Sequence, residues 1–164
     1  VSGQEETLLN ILIYNLGNRD LKRNGNLVPN AQDWEQLLSQ IELGSVSLEE
    51  LQFEQFEAVL SYLHRRGLKQ LDRVYIVVTD QNPDKDFRKT DTVSLYKVLQ
   101  RCFDHYRSTG LGRSAGQGVP SDFLGKTALK HLTMSGENPA DYARVFDWYR
   151  RHLASVVPQS IDTK

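Results

Sequence analysis

Cysteine is almost missing: Cys102 stands alone among 164 residues. No disulfide can close within the chain, so a disulfide-stapled scaffold is excluded. Cys102 falls inside an apolar helical pattern, where a thiol is expected to be buried and inert. No apolar run approaches the ~20 residues that a membrane-crossing helix needs, and no signal peptide is visible. The chain opens on Val1, so an upstream segment with room for a targeting or membrane element is expected to have preceded it. Charge of one sign is also lacking. Twenty Lys and Arg against 21 Asp and Glu leave a net charge of −1, which gives no general positive field for duplex DNA or RNA. Any bound anion must therefore be held by local groups.

Several chemical signatures are absent as well. No GxGxxG follows the first apolar run and no Walker A sequence occurs, which argues against a dinucleotide cofactor or bound ATP. His64, His105, His131 and His152 lack metal-ligand spacing, and there is no HExxH. His64 and His152 sit near predicted helix C-termini, where a cation is favoured. Ser114 and Ser135 have no neighbouring histidine to suggest a triad. Asp84, Asp86 and Asp91 are too loosely spaced for a calcium loop. No cofactor and no metal are expected.

What is present is an ordinary globular balance, 39% hydrophobic and 25% charged, at a length that suits one domain with its own core. Leu8 to Tyr14 is a nearly continuous apolar run that stops at Asn15-Leu16-Gly17-Asn18, the pattern of a buried strand and tight loop. Residues 18–30 are polar, with turn residues Asn24-Gly25-Asn26 and Pro29. A short helix is expected over Ala31 to Leu43 around Trp34, Leu37, Leu38 and Ile41. Ser47-Leu48-Glu49-Glu50 is a capping box. It predicts a helix whose apolar face carries Leu48, Leu51, Phe56, Val59, Leu60 and Leu63, stopping at Gly67.

Val74 to Val78 is the strongest strand signal, β-branched and apolar throughout, and it runs into Thr79-Asp80-Gln81. A helix from about Thr92 to Tyr106 follows, capped by Thr90 or Asp91. Residues 107–128 hold five of the eleven glycines and predict a long loop, in which Gly112 to Gly118 has a phosphate-friendly composition but is read first as a mobile tip. Leu129 to Met134 predicts another strand. The last helix is expected to start with Asn138 as N-cap and Pro139 at its first position, with Tyr142, Val145, Phe146, Tyr149, Leu153 and Val156 as its stripe. Alternating strands and helices imply an α/β, Rossmann-like, mainly parallel sheet with helices on both faces, in a single domain.

In such sheets ligands gather beyond the carboxyl ends of the strands. Three of those ends carry unusual polar sequences, at residues 15–20, 79–81 and 135–138, and parallel strands would bring them to one rim. Gly17 and Gly136 would let backbone N–H groups approach a phosphate. Helix N-termini at Thr92 and Asn138 would add partial positive charge. Arg19, Arg88 and Lys89 would supply formal charge, while Asn15, Asn18 and Gln81 would read base edges or ribose hydroxyls. The same stretches also make ordinary turns and caps.

An apolar strand entering Thr79-Asp80-Gln81, followed by Lys89-Thr90-Asp91-Thr92 at the start of a helix, resembles the CRISPR-associated Rossmann fold (CARF) domains. The loop Asn15-Leu16-Gly17-Asn18-Arg19-Asp20 and the turn Ser135-Gly136-Glu137-Asn138 fall where those domains place ligand-binding loops. The resemblance covers roughly residues 8–155. It implies a cytoplasmic prokaryotic sensor of cyclic oligoadenylate, in the first instance the tetra-adenylate ring, acting in type III CRISPR antiviral defence. It also implies a homodimer with a two-fold pocket. In that picture Asn15 to Arg19 form the floor, Thr79 to Gln81 meet adenine or ribose, and Arg88 to Thr92 close over phosphate. Binding would switch an effector allosterically. No RxxxxH ribonuclease signature, nuclease carboxylate cluster or winged helix occurs in this chain, so the effector, or a membrane segment tethering it, would lie elsewhere. The expected double-glycine turn is replaced by Ser135-Gly136-Glu137-Asn138, whose Glu137 would repel phosphate unless it meets a sugar hydroxyl. Two alternatives stay open: a ring nuclease that cleaves the cyclic oligoadenylate in the same pocket, and an unrelated Rossmann-like enzyme acting on a nucleotide or sugar phosphate.

Overall fold

The structure is a computed structural model that describes residues 9–80, 92–112, 118–135 and 142–156. Its centre is the strand β5, Arg73–Asp80, flanked by β1, Ile11–Asn15, and β6, Ala128–Ser135. Both neighbours run parallel to it, in the order β1-β5-β6. The run of β-branched residues in β5 is explained by burial on both faces. Val74, Ile76 and Val78 enter one apolar cluster, while Val77 enters another with Met134 and Trp148.

Three helices cover the first face: α1, Ala31–Glu42; α2, Glu54–Arg65; and α3, Val93–Thr109. Trp34, Phe56, Leu60, Leu95, Leu99 and Phe103 from these helices are fully buried in the larger cluster. Phe56 joins its layers, meeting Tyr14 edge-on at 5.1 Å and Phe103 at 6.4 Å between ring centroids. Among the described residues a single helix, α4, Tyr142–Val156, lies on the second face through Val145, Trp148 and Tyr149. The fold is thus an α/β, Rossmann-like domain with helices on both faces of a mainly parallel sheet. Cys102 is buried, as its pattern predicts, and burial pushes its thiol up to about 12, with the Glu57 charge adding to the effect.

Several elements differ from the sequence reading. The first strand, predicted from Leu8, starts at Ile11; Leu8 lies outside the described residues, and the Asn10 N–H is taken by the Asp72 carboxylate at 2.7 Å. The polar stretch after it contains a hairpin, β2 (Leu21–Arg23) and β3 (Asn26–Leu27). Asn24 and Gly25, at φ 48° and 83°, make the turn, the geometry that Asn-Gly favours between paired strands. The capping box does form: Glu50 accepts the Ser47 N–H at 3.0 Å, and the Ser47 hydroxyl accepts the Glu49 N–H at 3.3 Å. It opens only one 3₁₀ turn, however. Residues Leu51–Phe53 then become β4, antiparallel to β2, and α2 starts at Glu54. Leu51 and Phe53 are buried while Gln52 between them is exposed. That two-residue period of burial prevails over the helical spacing that groups Leu48 and Leu51 with Phe56.

The expected loop over 107–128 is largely structured. Helix α3 continues to Thr109, Leu111 bridges Val119, and a 3₁₀ turn covers Ser121–Phe123. Leu111, Val119, Phe123 and Leu124 all join the larger core. Gly110 allows this crossing: its φ is 78°, and a Cβ there would lie 2.5 Å from the Val119 carbonyl oxygen. Of the tip predicted over Gly112 to Gly118, residues 113–117 lie outside the described residues. So do Asn138 and Pro139, expected to start the last helix.

Candidate functional site at the carboxyl rim of the sheet

Because all three central strands are parallel, their carboxyl ends fall on one edge. Thr79 pairs with Met134 and Asp80 with Ser135, so β5 and β6 finish level. Strand β1 finishes earlier, with Asn15 opposite Val77. The offset is three residues, about 10 Å at strand rise, and it forms a step at which the first loop begins. The described parts of the three predicted loops therefore do share one rim.

The first loop is organised from below by Asp20. This residue is only 4% exposed, yet it carries a carboxylate. That carboxylate accepts the Gly17 N–H at 2.8 Å and the Tyr14 hydroxyl at 3.2 Å. The Asp20 N–H in turn bonds the Gly17 carbonyl at 3.1 Å. Desolvation raises the Asp20 pKa above the ordinary carboxylate value, against the lowering effect of its two hydrogen bonds. Tyr14 is pushed up as well, first by burial and then by the Asp20 charge.

This arrangement revises two expectations. The Gly17 N–H is turned inward to Asp20 and is not a donor toward the rim. Leu16 is a core residue, 5% exposed, with its N–H bonded to the Val77 carbonyl at 3.1 Å. What the first loop offers outward comes from Asn15 and Arg19, both exposed, with Asn18 half-buried between them. The Tyr149 hydroxyl of α4 donates to Asn15 Oδ1, which leaves the amide NH₂ of Asn15 to act as donor. Arg19 and Lys22 border a cavity of about 480 Å³ whose other walls include Asp20, Gly25 and Glu54. Lys22 and Glu54 form an ion pair across it.

The second loop is anchored at both ends by two threonines. The Thr92 N–H bonds the Thr79 carbonyl at 2.9 Å, and the Thr92 hydroxyl accepts the Thr79 N–H at 2.9 Å. Thr92, not Thr90 or Asp91, is the N-cap of α3, and its side chain does not cap the helix. Its hydroxyl is occupied by the strand end, and the residue is 2% exposed. Thr92 is therefore a clasp between β5 and α3. Gln81, Arg88, Lys89, Thr90 and Asp91 lie outside the described residues, as do Gly136, Glu137 and Asn138. Thr79, Asp80 and Ser135 stand at the rim through their places in the ladder.

Sequence reasoning missed Asp20, Tyr14 and Tyr149 as organisers of this rim. Asp20, three residues after a glycine at a strand end, was visible as a turn signal. Nothing in the sequence marked its burial or its pairing with Tyr14.

No protein-family model matches the chain, and no curated protein or solved structure gives a significant match.

Proposed function

We propose that the rim binds a cyclic oligoadenylate, and that the chain is a CARF-like sensor in type III CRISPR antiviral defence, acting as a homodimer on an effector outside this sequence. The observation that carries the reading is the common edge formed by Asn15, Thr79–Asp80 and Ser135 at the ends of parallel strands. Such an edge is where open α/β sheets hold nucleotides. The exposed side chains at its first loop fit a phosphodiester ring. Asn15 has its carbonyl oxygen satisfied by Tyr149 and its NH₂ directed to donate, and Arg19 supplies a cation. The exposed Arg19 of each protomer suits a ligand shared across a two-fold axis, where each subunit meets part of the anion. The sequence of the second loop, with Arg88 and Lys89, adds charge to the same reading.

Calorimetry with rings of three, four and six adenylates tests it. The expected result is tight binding of one ring, the tetramer first, with one ring per two chains. Arg19→Ala and the pair Arg88→Ala with Lys89→Ala should each weaken binding and reduce its dependence on salt. Ordinary mononucleotide affinity, with no preference for a cyclic ligand, would instead support a Rossmann-like enzyme. Chromatography of the ring after long incubation separates a sensor, which leaves it intact, from a ring nuclease, which linearises it.

A further inference from the structure

The buried carboxylate beneath the first rim loop ties that loop to the sheet, and we propose that it is a proton-operated latch: charged, Asp20 holds the turn from Gly17 to Asp20 closed, and neutral, it lets the turn loosen. The inference concerns the loop itself and stands whatever ligand the rim takes. The Asp20 N–H bonds the Gly17 carbonyl at 3.1 Å, and the Gly17 N–H returns to Asp20 Oδ2 at 2.8 Å. The same oxygen accepts the Tyr14 hydroxyl at 3.2 Å. One carboxylate oxygen thus joins both ends of the turn to β1. Between those ends lie Asn18, half-buried, and Arg19, exposed, so the latch sets what the loop presents outward.

Hydrogen bonds to an ionised acceptor are about twice as strong as those to a neutral one. Both donors meet Oδ2, so a proton on that oxygen would compete with them, and a proton on Oδ1 would leave them a weaker, neutral acceptor. Either way the turn loses the charge-assisted part of its closure. Asp20 lines the cavity of about 480 Å³ beside the loop, which gives the proton a route to it. Burial raises the Asp20 pKa more than its two hydrogen bonds lower it, so the proton is taken more readily than by an ordinary carboxylate. The same proton relieves the cost of a buried charge. The fold as a whole therefore gains stability while the turn alone loosens, and that opposition of sign is the signature of the latch.

The groups that face Asp20 come from four directions. Tyr14 on β1 stays protonated, since burial and then the Asp20 charge push its hydroxyl up. Arg19 belongs to the same loop, Lys22 to β2 and Glu54 to the start of α2, and all three border the cavity. Lys22 and Glu54 are paired with each other. Glu54 is the other carboxylate among the described residues of that lining, and its titration has to be separated from that of Asp20.

Amide hydrogen exchange of the whole chain, read residue by residue between about pH 4 and 8 and corrected for intrinsic rates, tests the latch. Protection of the Gly17 N–H is expected to fall about fivefold as the pH drops through the Asp20 transition. The Leu16 N–H, bonded to the Val77 carbonyl at 3.1 Å, should keep its protection. Asp20→Asn should show the lower Gly17 protection at every pH, without a step, whereas Glu54→Gln should still show the step. Tyr14→Phe keeps a ring against Phe56 but removes a bond that lowers the Asp20 pKa, so the step should move to higher pH. That variant carries the test by itself if Asp20→Asn does not fold. Flat Gly17 protection across the range, a step that survives in Asp20→Asn, a step that Tyr14→Phe leaves in place, or an equal fall at Leu16 would each overturn the proposal.

Discussion

The two faces of the central sheet are unequal. On one, α1, α2 and α3 enclose a continuous core that runs from Leu21 and Trp34 through Phe56 and Phe103 to Phe123. On the other, one helix rests on Val77 and Met134 through Trp148, with Phe146 and Leu153 exposed. The first face supplies most of the apolar burial that drives folding. The second carries α4, whose Tyr149 is the contact that reaches the rim. Stability and site geometry are therefore drawn from opposite sides of the same three strands, and a change on one side should be felt differently from a change on the other.

The largest effect should come from breaking the heavy face. Phe56→Ala removes the ring between Tyr14 and Phe103 and is expected to cost about 3–5 kcal/mol, read as a fall in the urea midpoint. On the thin face, Trp148→Ala should cost about 2 kcal/mol, because α4 can loosen without opening the main core. Hydrogen exchange would show the amides of α4 losing protection while those of α3 keep theirs; equal loss in both helices would erase the distinction between the faces.

Tyr149→Phe is smaller again, about 1 kcal/mol for one hydrogen bond. Under the proposed function its more informative readout is affinity for the cyclic oligoadenylate, which should fall because Asn15 is no longer held. The smallest effect concerns pH. Asp20 has a raised pKa in the fold, so the folded chain binds its proton more readily than the unfolded chain does. Its contribution to stability therefore rises as pH falls through the folded pKa toward the ordinary carboxylate value near 4, and the cost of the buried charge is fully present above that window. Asp20→Asn should remove this component from the pH dependence of the urea midpoint. An unchanged slope would show that Asp20 is more solvated than its 4% exposure indicates.

The elements legible in the sequence were those whose pattern depends on their own residues. Val74 to Val78 announced a strand buried on both faces, and α1, α3 and the body of α2 announced themselves by helical spacing. The second sheet was illegible because its strands are two or three residues long and acquire meaning only when Leu21 meets Phe53 across the chain. The same contact broke the helix that the capping box at Ser47 predicted. At the rim, the gathering of strand ends followed from parallel topology alone. The inward turn of Gly17 did not, because it depends on a buried carboxylate that also holds Tyr14.

The Thr79–Thr92 clasp has a consequence for variation within the molecule. Where a chain leaves and re-enters a rigid frame at two points already tied together, added residues cost only the slow logarithmic rise in closure entropy. The sheet and α3 are thereby insulated from the length of what lies between Asp80 and Thr92. Insertions, deletions and changes of charge after Asp80 are expected to leave the strand register of β5 with β1 and β6 as it is.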